Sequence, residues 1–154
     1  MHWSGAKNLT IRVGNRERTF RLSSPWAERP CPPGPHSFTC GVGPPNATSP
    51  LVLYWHGCNG HLPLLSYNLA ISKVEDVALD LGYFAITPLG TGAFGGGGDY
   101  GWNADGIRCG ALGVDDFAFF EALLAFARRE LCVDMRRVYS IGFSTGAFLT
   151  YGIA

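Results

Sequence analysis

The chain has 154 residues, with 12 Lys plus Arg against 12 Asp plus Glu, 47% hydrophobic residues and 16% charged ones. A charged fraction below the roughly 25% of ordinary soluble domains predicts one compact, mostly packed domain and excludes global disorder, and zero net charge gives no basic field for a nucleic acid partner. No apolar run approaches the roughly 18 residues that a membrane span needs, so no membrane partner is expected, and MHWSGAKNLT lacks the charged start and apolar core of a signal peptide.

Residues 7 to 23, KNLTIRVGNRERTFRLS, alternate apolar and polar positions around Gly14-Asn15, which predicts two short strands joined by a tight turn. Residues 24 to 50 hold many of the prolines and two cysteines and read as a long surface loop. Leu51 to Trp55, LVLYW, is a continuous apolar run of strand length, the pattern of a parallel strand covered on both faces, and it stops at His56-Gly57. Val74, Val77, Ala78 and Leu81 share one helical face, with Ser72 and Glu75 placed as a capping box and Gly82 as the stop. Tyr83 to Thr87, closed by Pro88, predicts another buried strand. After the loop GTGAFGGGGDYGWNADGIRCGALG, Asp115 and Asp116 open a helix with the stripe Phe117, Phe120, Leu124, Ala127 and Leu131. Its acidic start and the late Arg128 and Arg129 both suit the helix dipole. RVYSI, residues 137 to 141, is the next strand, and GFSTGAFLTYGIA turns into a third helix. Alternating strands and helices predict an α/β fold, a sheet with helices on both faces.

The five cysteines are Cys31, Cys40, Cys58, Cys109 and Cys132; the odd count leaves at least one without an intrachain partner, and spacing does not fix the pairs. Cys31 and Cys40 bracket CPPGPHSFTC, a plausible stapled loop, and Asn8-Leu9-Thr10 and Asn46-Ala47-Thr48 fit the glycosylation sequon. Together these favour an extracellular protein.

Gly142-Phe143-Ser144-Thr145-Gly146 is a G-x-S-x-G pentapeptide between a predicted strand and a predicted helix. At such a turn, small residues let a strained backbone expose the serine hydroxyl as a nucleophile. The oxyanion formed when it attacks a carbonyl needs N–H donors: the backbone of Thr145, and that of Cys58 in the loop His56-Gly57-Cys58-Asn59-Gly60 after LVLYW. His56 is expected to brace this loop or line the substrate site rather than act as base, and Trp102 to line the same pocket. His56, Cys58 and His61 lack a fourth ligand of matching type, so no metal is expected. Gly90 to Gly95 matches G-x-G-x-x-G, but glycines and Asp99 follow instead of a helix, so neither a dinucleotide nor any other cofactor is implied.

Together, the HG turn after a strand, Trp102-Asn103, Val114-Asp115-Asp116, Cys132-Val133-Asp134 and the Ser144 pentapeptide resemble the α/β-hydrolase family of secreted feruloyl esterases and related polyhydroxybutyrate depolymerases. The resemblance spans about residues 8 to 154 and is strongest from Gly101 onward. It implies an α/β-hydrolase-type sheet, Ser144 as nucleophile, Cys58 and Thr145 as oxyanion donors, and an ester on carbohydrate or a polyester as substrate. Asp115 and Asp116 are expected to start a helix and not to serve as triad acid. Thr145 and Ala147 stand where smaller residues are common in that family.

In this fold order the acid and the histidine follow the nucleophile, yet TGAFLTYGIA contains neither. Residues 1 to 154 are therefore expected to be the N-terminal portion of one hydrolase domain, ending just after the nucleophile turn and inactive by themselves. The alternative is a non-catalytic hydrolase-like binding domain.

Overall fold

The computed structural model describes residues 6–25, 48–58, 73–92, 100–104 and 107–154. In chain order the elements are β1 (Lys7–Val13), β2 (Arg16–Ser23), β3 (Ser49–Trp55), α1 (Val74–Asp80), β4 (Phe84–Pro88), β5 (Thr91–Gly92), β6 (Tyr100–Gly101), β7 (Asn103–Ala104), β8 (Ile107–Arg108), α2 (Asp116–Glu130), β9 (Val133–Gly142) and α3 (Thr145–Ile153). Five strands form one mixed sheet in the order β1-β2-β4-β3-β9, and β5-β6 and β7-β8 are two short ladders. The fold is α/β.

The predicted hairpin forms with Val13 opposite Arg16, and Gly14 takes φ +59, a conformation glycine adopts without strain. The apolar run of β3 is buried throughout and pairs in parallel with both β4 and β9. Alternation along these strands divides the core. Leu51, Leu53, Trp55 and Ile86 pack with Phe119, Leu123 and Phe126 of α2 and Leu149 of α3, while Val52 and Ala85 meet Ala78 of α1. Helices therefore cover both faces of the sheet.

Two helices turn different faces inward than their periodicity predicts. In α1 the buried residues are Glu75 and Ala78, whereas Val77 and Leu81 are 52% and 65% exposed. The cause is polar: Glu75 accepts hydrogen bonds from Ser23 Oγ and from Arg21 Nε at 3.2 Å, which rotates α1 toward β2. Glu75 is thus not a capping residue; the helix starts after Lys73 without a side-chain cap, and Ser72 lies outside the described residues. The outward residues line an apolar groove of about 740 Å³ with Tyr139 and Ile141 of β9. Gly82 ends α1 as expected, at φ +78.

In α2 the buried set is Asp116, Phe119, Leu123, Phe126 and Ala127, while Phe117, Phe120, Leu124 and Leu131 flank it, partly buried. Asp115 is the N-cap, accepting from the Ala118 N–H at 2.9 Å. Asp116 is drawn inward: its Oδ1 meets Arg18 Nη2 at 2.7 Å and its Oδ2 accepts from the Asn103 N–H at 2.7 Å. The Arg18 guanidinium lies 4.0 Å from the Phe119 ring centroid. Burial pushes the Asp116 carboxyl up from its ordinary value, against the pull of the Asn103 N–H and Arg18.

Removing one partner of a buried ion pair strands the other charge. Asp116→Ala is expected to lower the unfolding free energy by about 3–5 kcal/mol in equilibrium urea unfolding, and a change below about 1 kcal/mol would show that the pair does not anchor α2.

Candidate active site

The site is built at the C-terminal end of the parallel strands. β9 closes at Gly142, and the Phe143 N–H donates to the Trp55 carbonyl at 3.0 Å, tying the end of β9 to the end of β3. Ser144 then adopts φ 53 and ψ −119, a backbone state that non-glycine residues rarely occupy. Its carbonyl accepts from the Ala147 N–H at 2.9 Å, so α3 begins immediately after the turn. The two glycines of the pentapeptide are steric requirements. A Cβ at Gly142 would collide with the Gly146 carbonyl, and one at Gly146 would collide with the Trp55 carbonyl.

Ser144 is exposed, and its side chain makes no capping hydrogen bond to α3. It faces the loop after β3: a Cβ built on Gly57 would sit 3.1 Å from Ser144 Cβ. The serine, Gly57 and the first turn of α3 thus lie together, with the positive end of the α3 dipole beside the hydroxyl.

His56 takes the first of its two expected roles, bracing the loop after β3, and not the second, while Trp102 does not line the pocket as expected. Both are fully buried, so neither lines a substrate surface. The Gly90 N–H donates to His56 Nε2 at 2.9 Å, which places the ring proton on Nδ1, 2.6 Å from the Gly57 carbonyl that accepts it. Desolvation lowers the imidazole pKa to about 4. Trp102 Nε1 donates to the His56 carbonyl at 2.7 Å, and its ring meets Trp55 edge-on at 5.0 Å. The pair forms the rear wall of the serine loop and holds its backbone.

A disulfide joins Cys58 to Cys109 across 51 residues, with Cα atoms 6.0 Å apart. Cross-linking a loop of that length stabilises the folded chain by about 4 kcal/mol in the chain-entropy account. Cys132 is a free thiol. Cys31, Cys40, His61 and Asn46 lie outside the described residues; Asn8 is exposed on β1. Among the described residues no three His, Cys, Asp or Glu side chains cluster as metal ligands.

Asn103 and Thr91, to which the sequence reading gave no part in the site, order its flank. Asn103 Nδ2 donates to the carbonyls of Ala111 (2.8 Å) and Val114 (3.3 Å), its Oδ1 accepts from the Gly110 N–H at 3.2 Å, and the Ala111 N–H donates to Thr91 Oγ1 at 2.9 Å. These bonds position Cys109, and through the disulfide the Cys58 backbone. The available sequence signal was Trp102-Asn103 between glycine-rich stretches; the partners of Asn103 lie 7 to 13 residues further on and are mostly backbone groups, which any residue type can supply, so they gave none.

No protein-family model matches the sequence, and no curated protein matches it. Its fold is similar to that of solved esterases. A cold-adapted esterase from an Arctic intertidal metagenomic library aligns with a TM-score of 0.54 and 17% identity over 99% of this chain and 60% of its own. A ferulic acid esterase gives 0.54 and 14% over 94% and 51%, and an arylesterase 0.50 and 16% over 95% and 38%. The chain thus spans between about two fifths and three fifths of the length of these structures. At such identities the likeness is one of fold.

His56 provides a test of the rear wall. The folded protein holds this imidazole neutral down to about pH 4, whereas the unfolded chain protonates it near 6.5, so its contribution is complete above pH 6.5 and is lost as pH falls toward 4. That loss amounts to about 3 kcal/mol, and His56→Gln is expected to flatten this part of a stability-versus-pH curve from urea titrations. An unchanged slope in the variant would place the acid sensitivity elsewhere.

Proposed function

We propose that the chain carries the nucleophile and oxyanion elements of a serine carboxylic-ester hydrolase of the α/β-hydrolase type. The carrying observation is the Ser144 turn: a positive-φ serine, exposed and uncapped, between β9 and α3 and beside Gly57.

In this reading Ser144 Oγ adds to the ester carbonyl, and its proton passes to an imidazole base outside the described residues. The carbonyl electron pair becomes an oxyanion held by the N–H groups of Thr145 and Cys58. The tetrahedral intermediate collapses, the alcohol leaves with the proton, and water then hydrolyses the acyl-serine by the same steps. His56 is not that base, because both ring nitrogens are engaged and buried. The base and its carboxylate partner are proposed to lie outside the described residues.

The substrate class proposed is an ester of a phenolic acid on plant cell-wall carbohydrate or a short hydroxyacid polyester. The fold shared with a ferulic acid esterase and the motif resemblance support it. The Cys58–Cys109 bond is compatible with the proposed extracellular location, and no described helix is long and apolar enough to cross a membrane.

The complete protein is expected to hydrolyse 4-nitrophenyl acetate, and Ser144→Ala to lower kcat/KM by at least about a thousandfold in a spectrophotometric assay. Full activity in the variant would remove Ser144 from the mechanism, and an inactive complete protein would favour a binding domain on the same scaffold.

A further inference from the structure

Phe143 is 64% exposed, whereas Phe20, Phe84 and Phe119 are fully buried. Its backbone is fixed on both sides: the N–H donates to the Trp55 carbonyl at 3.0 Å, and the carbonyl accepts from the Gly146 N–H at 2.9 Å. The ring is therefore carried on an ordered stem immediately before the nucleophile. A Cβ built on Gly57 would stand 3.1 Å from Phe143 Cδ1 and 3.1 Å from Ser144 Cβ. Ring edge and nucleophile carbon thus flank one glycine, at most twice that distance apart, and both residues are open to solvent. The steric demands of the turn fall on Gly142 and Gly146, so the turn itself does not call for a ring at position 143. An aromatic side chain left in water forgoes the burial that stabilises it elsewhere in the chain.

We propose that the Phe143 ring is a specificity-determining platform that stacks with an aromatic group of the ester substrate. The inference rests on Ser144 being the nucleophile and deepens that reading by naming the substrate class, an ester with an aromatic ring close to the scissile carbonyl. When Ser144 Oγ bonds to the carbonyl carbon, the groups on that carbon come to lie near the serine Cβ, and hence near the ring that flanks the same glycine. Two rings attract in offset or edge-on arrangements with centroids about 4.5–7 Å apart, a range this placement allows. An aliphatic ester can occupy the same position without that contact. The stacking exists in the bound ester and in the tetrahedral intermediate alike, so it is expressed mainly in KM. Phe143 makes and breaks no bond and moves no proton.

The test uses the complete protein with methyl cinnamate, whose ring is on the acyl side, phenyl acetate, whose ring is on the alcohol side, and ethyl acetate, which has none. Phe143→Leu is expected to lower the preference for at least one aromatic ester over ethyl acetate about tenfold in kcat/KM, chiefly through KM, and the ester affected identifies the side on which the ring lies. Phe143→Tyr, which keeps a ring, is expected to hold the parental preference within about threefold. The melting temperature of Phe143→Leu should stay within about 3 °C of the parent, as for an exposed position. An unchanged preference in Phe143→Leu, an equal loss on all three esters, or a parent that hydrolyses ethyl acetate but neither aromatic ester would overturn the proposal. So would a larger drop in melting temperature or failure to fold, by showing that the ring is packed, and so would a Phe143→Tyr variant that loses the preference as Phe143→Leu does. Ser144→Ala separates the two readings: activity retained there overturns the nucleophile itself, while activity lost there with unchanged preference in Phe143→Leu overturns only the platform.

Discussion

The backbone contact between the first turn of α3 and the end of β3 sets the rest of the site. Gly146 lies against the carbonyls of Trp55 and His56 so closely that no side chain fits between them. That approach forces the chain to reverse within a single residue after β9, and Ser144 absorbs the reversal in its positive φ. A strained residue of this kind costs about 1–3 kcal/mol and persists only where its neighbours over-determine it. Here the Phe143 N–H bond to Trp55 and the α3 bonds to the Phe143 and Ser144 carbonyls supply that constraint. The exposed hydroxyl results from strand and helix being packed too tightly to hide it.

A second layer of polar contacts fixes what stands opposite the serine. His56 links the β3 loop to Gly90, its carbonyl takes the Trp102 indole N–H, and Asn103 passes the connection to Asp116 and so to Arg18 on β2. Each member is buried or partly buried, where a satisfied hydrogen bond is strong and a lost one is expensive. The chain of contacts runs from the outer hairpin to the serine loop through groups that are neutral or paired.

The parts of this arrangement that depend on local chemistry were legible in the sequence. The Gly14-Asn15 turn, the buried run of β3, the Asp115 cap and the glycines around Ser144 each report on a few adjacent residues. What failed depended on partners far along the chain. Glu75 and Asp116 are charged, so a hydrophobic pattern places them outside, yet Arg21 and Arg18 on β2 draw them in and rotate both helices. His56 and Trp102 carry functional groups that read as pocket-facing. The Gly90 N–H bond to the His56 ring and the Trp102 indole N–H bond to the His56 carbonyl turn them into supports instead. The Cys58–Cys109 pairing was hidden for the same reason, since five cysteines leave the choice of partner to the fold.

That disulfide also divides the site between two independent parts of the chain. Both of its cysteines precede β9 and Ser144 in the chain. The cross-link between the β3 loop and the segment after Trp102 therefore closes without using any residue of β9 or α3, so the wall opposite the serine is held by covalent structure independent of the turn that carries the nucleophile.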